Sequence, residues 1–253
     1  SLIERYALSI AFESDNRRLE SVLSEPPKEA LLVEVSQGTT YRDEQTGRST
    51  EIVALPGTRD ELEKVEAWLQ HHSVNITKRD NPLTKTEIPD CLASAHFFHI
   101  ACHGMFQPDQ PDQSGLVLIP QPGQKPEILS LRDLAQQEFA HLQHVTLSNC
   151  WSADSFILPG RWIISLPETI WRAGAGSILG SLWPVNDKLA VTFMQRFYAY
   201  LDKLPRDKAL QQTQLDCLHG NLPNLPDCDS VDPAKPLHWA GFNLYGDPNC
   251  LHL

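Results

Sequence analysis

Apolar residues in this chain fall into short unbroken runs, separated by longer stretches in which they return every three or four positions. The runs are Leu31-Leu32-Val33-Glu34-Val35, Val74 to Thr77, His96 to His103, Leu116 to Ile119, His144 to Asn149, Gly176 to Trp183 and the closing Trp239 to Gly246. Runs of this length, rich in β-branched and aromatic residues, predict strands covered on both faces. The stretches between them read as helices. Leu62, Val65, Trp68 and Leu69 form one stripe, opened by Thr58 and Glu61 in the spacing of a capping box. Further helices are predicted from Leu83 to Ala93 in spite of Pro89, from a Ser130 cap to Phe139, and after Ser165 and Glu168. A longer one is capped by Asn186 or Asp187 and runs through Phe193, Met194, Phe197 and Leu201; the last runs from about Arg206 to His219 before Gly220. Alternation of strand and helix predicts an α/β fold, a mostly parallel sheet with helices on both faces.

Other stretches are less regular. The apolar segment Tyr6 to Phe12 precedes a helix expected after Ser14, with Leu19, Val22 and Leu23 on one face. Gly38 to Gly47 reads as a polar hairpin-like loop before Ile52-Val53-Ala54-Leu55, and Gln107 to Ser114 as a loop. Ser152 to Ser165, with Pro159-Gly160 inside it, reads as irregular, and the stretch from Asn221 to Pro236 as a loop rich in proline and aspartate. One domain over residues 1–253 is expected. A chain that begins at Ser1 is expected to be a piece of a longer multidomain protein.

Composition narrows the partners. With 21 Lys and Arg against 32 Asp and Glu, a formal charge of −11 and no basic cluster, the chain is not expected to bind nucleic acid directly. No apolar run approaches 18 residues, so no membrane partner is expected. The six cysteines lack close pairs such as CxxC, and two lie in or at the end of buried strands. Free thiols in a reducing, cytoplasmic setting follow. His96, His99 and Cys102 invite a metal reading, but residues along a strand alternate faces and these cannot all converge. No metal site and no cofactor are expected.

Two of the strands end on reactive residues. One runs through His99-Ile100-Ala101-Cys102 to His103-Gly104; the other runs through Leu147-Ser148-Asn149 to Cys150, 47 positions further on. In open α/β sheets ligands bind beyond the carboxyl ends of the strands, where adjacent strands would present His103 and Cys150 side by side. A thiolate needs a proton manager and a pair of donors for the developing oxyanion, which a histidine and nearby backbone N–H groups supply. Glycine after the histidine lets a substrate carbonyl approach the backbone. Residue types alone also describe a buried structural thiol and a loop histidine.

A wider pattern accompanies these residues: Phe98 to Gly104, then Leu147-Ser148-Asn149-Cys150, Ala173-Gly174-Ala175, Ser181 to Asp187, Phe197-Tyr198, Trp239-Ala240-Gly241-Phe242 and Gly246-Asp247-Pro248. In this order they resemble the CHAT domain, a family of caspase-like cysteine peptidases related to separase, over nearly the whole chain. The resemblance implies a caspase-like three-layer sandwich and a Cys/His dyad falling on Cys150 and His103, with the backbone N–H groups of Gly104 and Cys150 as oxyanion donors. It puts Asp187 near the substrate pocket, where Asn149, Asp154, Ser181 and Trp183 are further candidates. Asp187 also fits a simple helix cap. The chain departs from the family's usual cysteine motif at Asn149, where alanine is common, and at Trp151-Ser152. The activity implied is that of a cysteine endopeptidase cleaving protein substrates under control of regulatory domains or a partner protein. The alternative is a catalytically silent caspase-like module that binds proteins.

Overall fold

Six of the expected strands form one sheet. In the computed structural model the described residues are 2–12, 26–42, 47, 49–79, 83–107, 109–119, 125–149, 155–158, 162–222, 232–249 and 251, with only the backbone course of 78–79, 155–158 and 162–164 described. The strands of the main sheet are β1 (Glu29–Glu34), β4 (Asn75–Arg79), β5 (Phe97–Ala101), β9 (His144–Ser148), β12 (Ser177–Ser181) and β13 (Phe242–Gly246). Their spatial order is β13-β12-β9-β5-β1-β4. All neighbours are parallel except β13, which closes the sheet antiparallel to β12. The outer side of β13 is not left bare: Ile10 bridges to Tyr245, donating to Leu244 O and accepting from the Gly246 N–H. The N-terminal segment thus shields an edge that would otherwise be open to other chains.

Alternation along each strand sends side chains into two separate cores. Leu31, Val33, Phe98, Ile100, Val145, Leu147 and Ile178 face one cluster, while Ala30, Leu32, Phe97, Ala101, Leu179 and Leu244 face the other. The first is covered by α2 (Glu87–Leu92), α3 (Leu131–Leu134) and α4 (Leu166–Arg172); the second by α1 (Gly57–His71), α5 (Asp187–Leu201) and α6 (Arg206–Leu218). On α5, Phe193 and Phe197 are wholly buried, and burial of each side chain contributes about 1.5–3 kcal/mol. The Phe193 ring stacks on Phe242 of β13 at 4.1 Å between centroids. The layers are helix, sheet, helix.

Several elements differ from the expectation. The run at Leu116 does not join the main sheet but forms β7 (Gly115–Leu118), between β6 (Gly104–Met105) and β8 (Glu127–Ser130) in a separate antiparallel sheet. The hairpin-like loop expected after Gly38 is a hairpin, its strands β2 (Thr39–Arg42) and β3 (Ser49–Ile52) paired antiparallel. The stretch expected to be irregular after Ser152 holds another, β10 (Ser155–Leu158) with β11 (Trp162–Ser165). Pro89 shortens α2, whose entry is held instead by the Thr84 N–H and hydroxyl donating to the Glu87 carboxylate. The helix expected after Ser14 lies outside the described residues. Among the described residues no helix is long and apolar enough to cross a membrane.

Candidate active site

Strand β5 stops at Ala101, and Cys102 and His103 carry the chain off the C-terminal edge of the sheet before β6 begins at Gly104. Cys102 turns its thiol into the apolar cluster under α2 and donates to the His103 carbonyl at 3.3 Å. His103 is half-buried, with Nε2 2.7 Å from the carbonyl oxygen of Val53. A carbonyl only accepts, so Nε2 carries hydrogen and Nδ1 is the nitrogen left for other chemistry in the neutral ring. The His103 carbonyl accepts the Val117 N–H at 2.9 Å. In an antiparallel ladder that bond flanks a pair, Gly104 and Leu116, which exchange no hydrogen bonds with each other. Leu116 therefore leaves the Gly104 N–H unused.

The next strand, β9, runs level with β5: Phe97 lies opposite His144 and Ala101 opposite Ser148, and the Cys102 N–H donates to Ser148 O at 3.4 Å. One residue later Asn149 is 7% exposed, and neither polar atom of its carboxamide has a hydrogen-bond partner among the described residues. Leaving a buried polar group unpaired costs about 1–3 kcal/mol. Cys150 and Asp154 lie outside the described residues.

Asn149 lines a narrow cavity at this edge of the sheet together with Glu61, Cys102, Ser148, Ser181 and Asp187. The Ser181 hydroxyl donates to Trp183 O at 2.7 Å. Trp183, expected in the pocket, is not among the lining residues; its indole N–H donates to Leu237 O and its ring lies against Gly241. Asp187 lines the cavity without capping its own helix. That cap is Asn186, whose side-chain oxygen accepts from the Lys188 and Leu189 N–H groups. The Asp187 carboxylate reaches across to accept the Gly57 N–H at 2.8 Å, at the start of α1. It satisfies a free donor of that helix and meets the positive end of its dipole. The absence of a side chain at Gly57 makes room for this bond, since a Cβ there would lie 2.7 Å from the carboxylate and force it to move. Burial raises the Asp187 carboxyl above its ordinary range, a shift opposed by the Gly57 bond, reinforced by Glu61, opposed again by the His103 ring and reinforced by Asp60.

Glu61 corrects a second expectation. Helix α1 starts on Pro56 without a side-chain cap, and the Thr58 hydroxyl donates back to Leu55 O. The Glu61 carboxyl instead points inward to His99 on β5, Oε1 to Nε2 2.8 Å, with both residues 1% exposed. A histidine inside an otherwise apolar strand was the available signal, since buried polar groups are paired. His96, by contrast, lies against the His141 ring. Among the described residues no three candidate ligands meet at one point.

A sequence profile described as the CHAT domain matches residues 1–247. This chain belongs to the CHAT-domain family. The fold of this CHAT domain is similar to that of the Arg-specific cysteine proteinase gingipain R, with a TM-score of 0.58 at 14% identity over 95% of this chain and 54% of that one. It also resembles the complex of the pro- and mature domains of the Porphyromonas gingivalis enzyme, with a TM-score of 0.56, 11% identity, and 93% and 52% of the two chains covered. Separase in the Saccharomyces cerevisiae separase–securin complex is similar at a TM-score of 0.52 and 15% identity, over 96% of this chain and 14% of that one. The CHAT domain thus spans about half the length of the gingipain chains and a small part of separase. At such identities the likeness establishes the caspase-like fold. No curated protein matches the chain by sequence.

Proposed function

We propose that this CHAT domain is a cysteine endopeptidase in which Cys150 is the nucleophile and His103 its proton manager. The observation that carries the reading is the register of β5 and β9, adjacent and level to their ends, which leaves His103 two residues past one end and Cys150 two residues past the other. His103 Nδ1 takes the thiol proton, and the sulfur attacks a peptide carbonyl. The backbone N–H groups of Gly104 and Cys150 receive the oxyanion. Collapse of the tetrahedral species passes the Nδ1 proton to the departing amine and leaves a thioester. Water, deprotonated by His103, then hydrolyses the thioester and frees the thiol.

The residue before the cut bond is proposed to be basic. Glu61 and Asp187 both line the cavity, and no lysine or arginine is among the described residues that do; an acidic side chain would meet like charge. The Asn149 carboxamide, unpaired among the described residues, offers a further hydrogen-bond partner. The proposed substrates are proteins, with activity controlled by regulatory domains or a partner protein.

A peptidyl thiol-directed electrophile with a basic residue at that position tests this. Expected are an adduct on Cys150 that depends on His103, and cleavage lost on Cys150→Ala or His103→Ala without loss of fold. The double variant is no worse than either single one, because members of a catalytic unit do not act additively. Turnover retained by Cys150→Ala sinks the nucleophile assignment. A folded wild-type chain that never labels points to the silent binding module.

A further inference from the structure

Behind the cavity a file of polar side chains crosses the otherwise apolar core under α1 and α5. It starts at Glu61, bonded to His99 Nε2 at 2.8 Å. His99 Nδ1 lies 3.1 Å from the Tyr198 hydroxyl, which lies 2.9 Å from the Thr146 hydroxyl. Thr146 is 3.3 Å from His144 Nε2, His144 Nδ1 is 2.7 Å from the Ser177 hydroxyl, and Ser177 is 3.1 Å from the Gln143 carbonyl. All six side chains are buried. The file runs from the C-terminal edge of the sheet to the first residues of β9 and β12, which pair as His144 and Ser177.

Six contacts need six hydrogens. Tyr198, Thr146 and Ser177 hold one each, and His99 and His144 one each as neutral rings, which makes five. Direction fixes where the sixth belongs. The Gln143 carbonyl only accepts, so Ser177 donates to it and accepts from His144 Nδ1. Nε2 of a neutral His144 must then accept from Thr146, Thr146 from Tyr198, and Tyr198 from His99 Nδ1. A charged His144 would supply the hydrogen elsewhere, but burial, then Arg206 and then His99 hold that ring well below its ordinary range. Burial likewise keeps the Tyr198 phenol protonated.

We propose that Glu61 and His99 hold one extra proton between them, and that Ser177, at the opposite edge of the sheet, is what requires it to be there. The anion that keeps the proton is the Glu61 carboxylate. Among the described residues, Glu61 acts on Asp187 and on Tyr198 of α5, Asp187 is also met by Asp60 of α1 and by His103 beyond β5, and Arg206 of α6 acts on His144. With the proton in place the pair has no net charge, and Asp187 is the anion facing the cavity. That last consequence rests on the peptidase reading; the proton count does not.

The count changes predictably when a member is removed. Ser177→Ala deletes two contacts and one hydrogen, leaving four contacts and four hydrogens. The file then runs the other way, from His144 Nε2–H through Thr146 and Tyr198 to His99 Nδ1, and needs no extra proton. Tyr198→Phe also leaves four of each, but His144 keeps its Nδ1 hydrogen. Nitrogen-15 spectra of the histidine rings in the full chain near neutral pH read this directly. Expected for the wild type are a neutral His144 with Nδ1–H, and either both His99 nitrogens protonated or His99 Nδ1–H with a protonated Glu61. The carboxyl carbon shift of Glu61 tells these two forms apart, and either supports the proposal. Ser177→Ala is expected to leave His99 with Nε2–H alone and to move the His144 hydrogen to Nε2; Tyr198→Phe should change His99 only. With Thr146→Val breaking the file, Ser177→Ala should no longer alter His99. Wild-type His99 holding only Nε2–H beside an ionised Glu61 overturns the proposal, as does a folded Ser177→Ala chain with unchanged His99 signals. If Ser177→Ala does not fold, the wild-type spectrum and Tyr198→Phe decide alone. None of these readouts needs peptidase activity.

Discussion

The two faces of the sheet solve the same packing problem differently. Under α2, α3 and α4 the strands bury Leu31, Val33, Phe98, Ile100, Val145 and Leu147 in an apolar cluster. The polar needs of those helices are met at short range: Ser130 and Asp133 bond each other's backbone at the start of α3, and Ser165 accepts the Glu168 N–H at the start of α4. Under α1 and α5 the same strands place His99, Thr146 and His144 among apolar neighbours, and the bonds are long-range. Glu61 joins residue 99, Tyr198 joins residues 99 and 146, and Asp187 joins residue 57. The face with remote polar bonds is the one that lines the candidate cavity. A buried polar contact between distant segments fixes one register and one seating of a helix, which nonspecific apolar packing does less sharply.

Removing partners one at a time should separate the faces most. His99→Leu leaves the Glu61 carboxylate buried without its partner, with an expected loss of about 3–5 kcal/mol. Adding Glu61→Leu should restore part of it, because replacing both members of a buried pair by apolar groups is often neutral or better. On the apolar face Ile100→Ala is expected to cost about 2–5 kcal/mol, and adding Leu147→Ala should lower stability again, since each truncation removes packing. Urea unfolding of both sets checks this. If the second substitution destabilises on both faces, the contrast fails.

The helix starts give a smaller and more selective effect. Ser130→Ala removes a local cap, at about 1 kcal/mol, and leaves peptide turnover unchanged. Gly57→Ala places a carbon 2.7 Å from the Asp187 carboxylate, so that carboxylate must move and its bond to the α1 N-terminus is lost. A stability change of similar size, about 1 kcal/mol, should come with weaker binding of peptides carrying a basic residue before the cut. Equal KM in the two variants would break the link between Asp187 and substrate.

The contrast also governs what could be read from the residues beforehand. Patterns that act locally were legible: the six runs of the main sheet, the start of α3 at Ser130, the amphipathic α5, and the end of α6 before Gly220. The hairpin of β10 and β11 is local too: Phe156-Ile157-Leu158 and Trp162-Ile163-Ile164 flank Pro159-Gly160, a strand-turn-strand pattern that shows only when the turn residues are read together with the apolar triplets on either side. Glu61, and the capping alternative for Asp187, show the physical limit: each residue sits where a local cap belongs, and nothing in local spacing shows that its bond runs to another element. His103 stood out because the strand before it is buried and the glycine after it is not part of a helix. The cavity was only half legible, since Asn149, Ser181 and Asp187 line it whereas Trp183 turns toward Leu237.

The smallest expected effect is a difference in sign between two capping carboxylates. Asp133 serves its own helix on the apolar face. Burial pushes its carboxyl upward, but the Ser130 side-chain and backbone bonds, with Lys85 nearby, outweigh burial and lower it below 3.8. A carboxyl lowered in the folded state contributes stability that is present above its unfolded value and lost as pH falls through the folded one. Asp187 serves a distant helix on the other face and is raised above 3.8, burial being the largest cause. A raised carboxyl contributes stability that is full below its unfolded value and declines as pH rises through the folded one. Each Asn variant removes one titration. The stability difference between wild type and Asp133→Asn should therefore grow from about pH 3 to about pH 5, and that between wild type and Asp187→Asn should move in wild type's disfavour over the same range. Denaturation midpoints at several pH values in that range read both slopes. Parallel slopes would mean that the two carboxylates meet similar surroundings, and the distinction between a locally and a remotely satisfied helix start would have no energetic content.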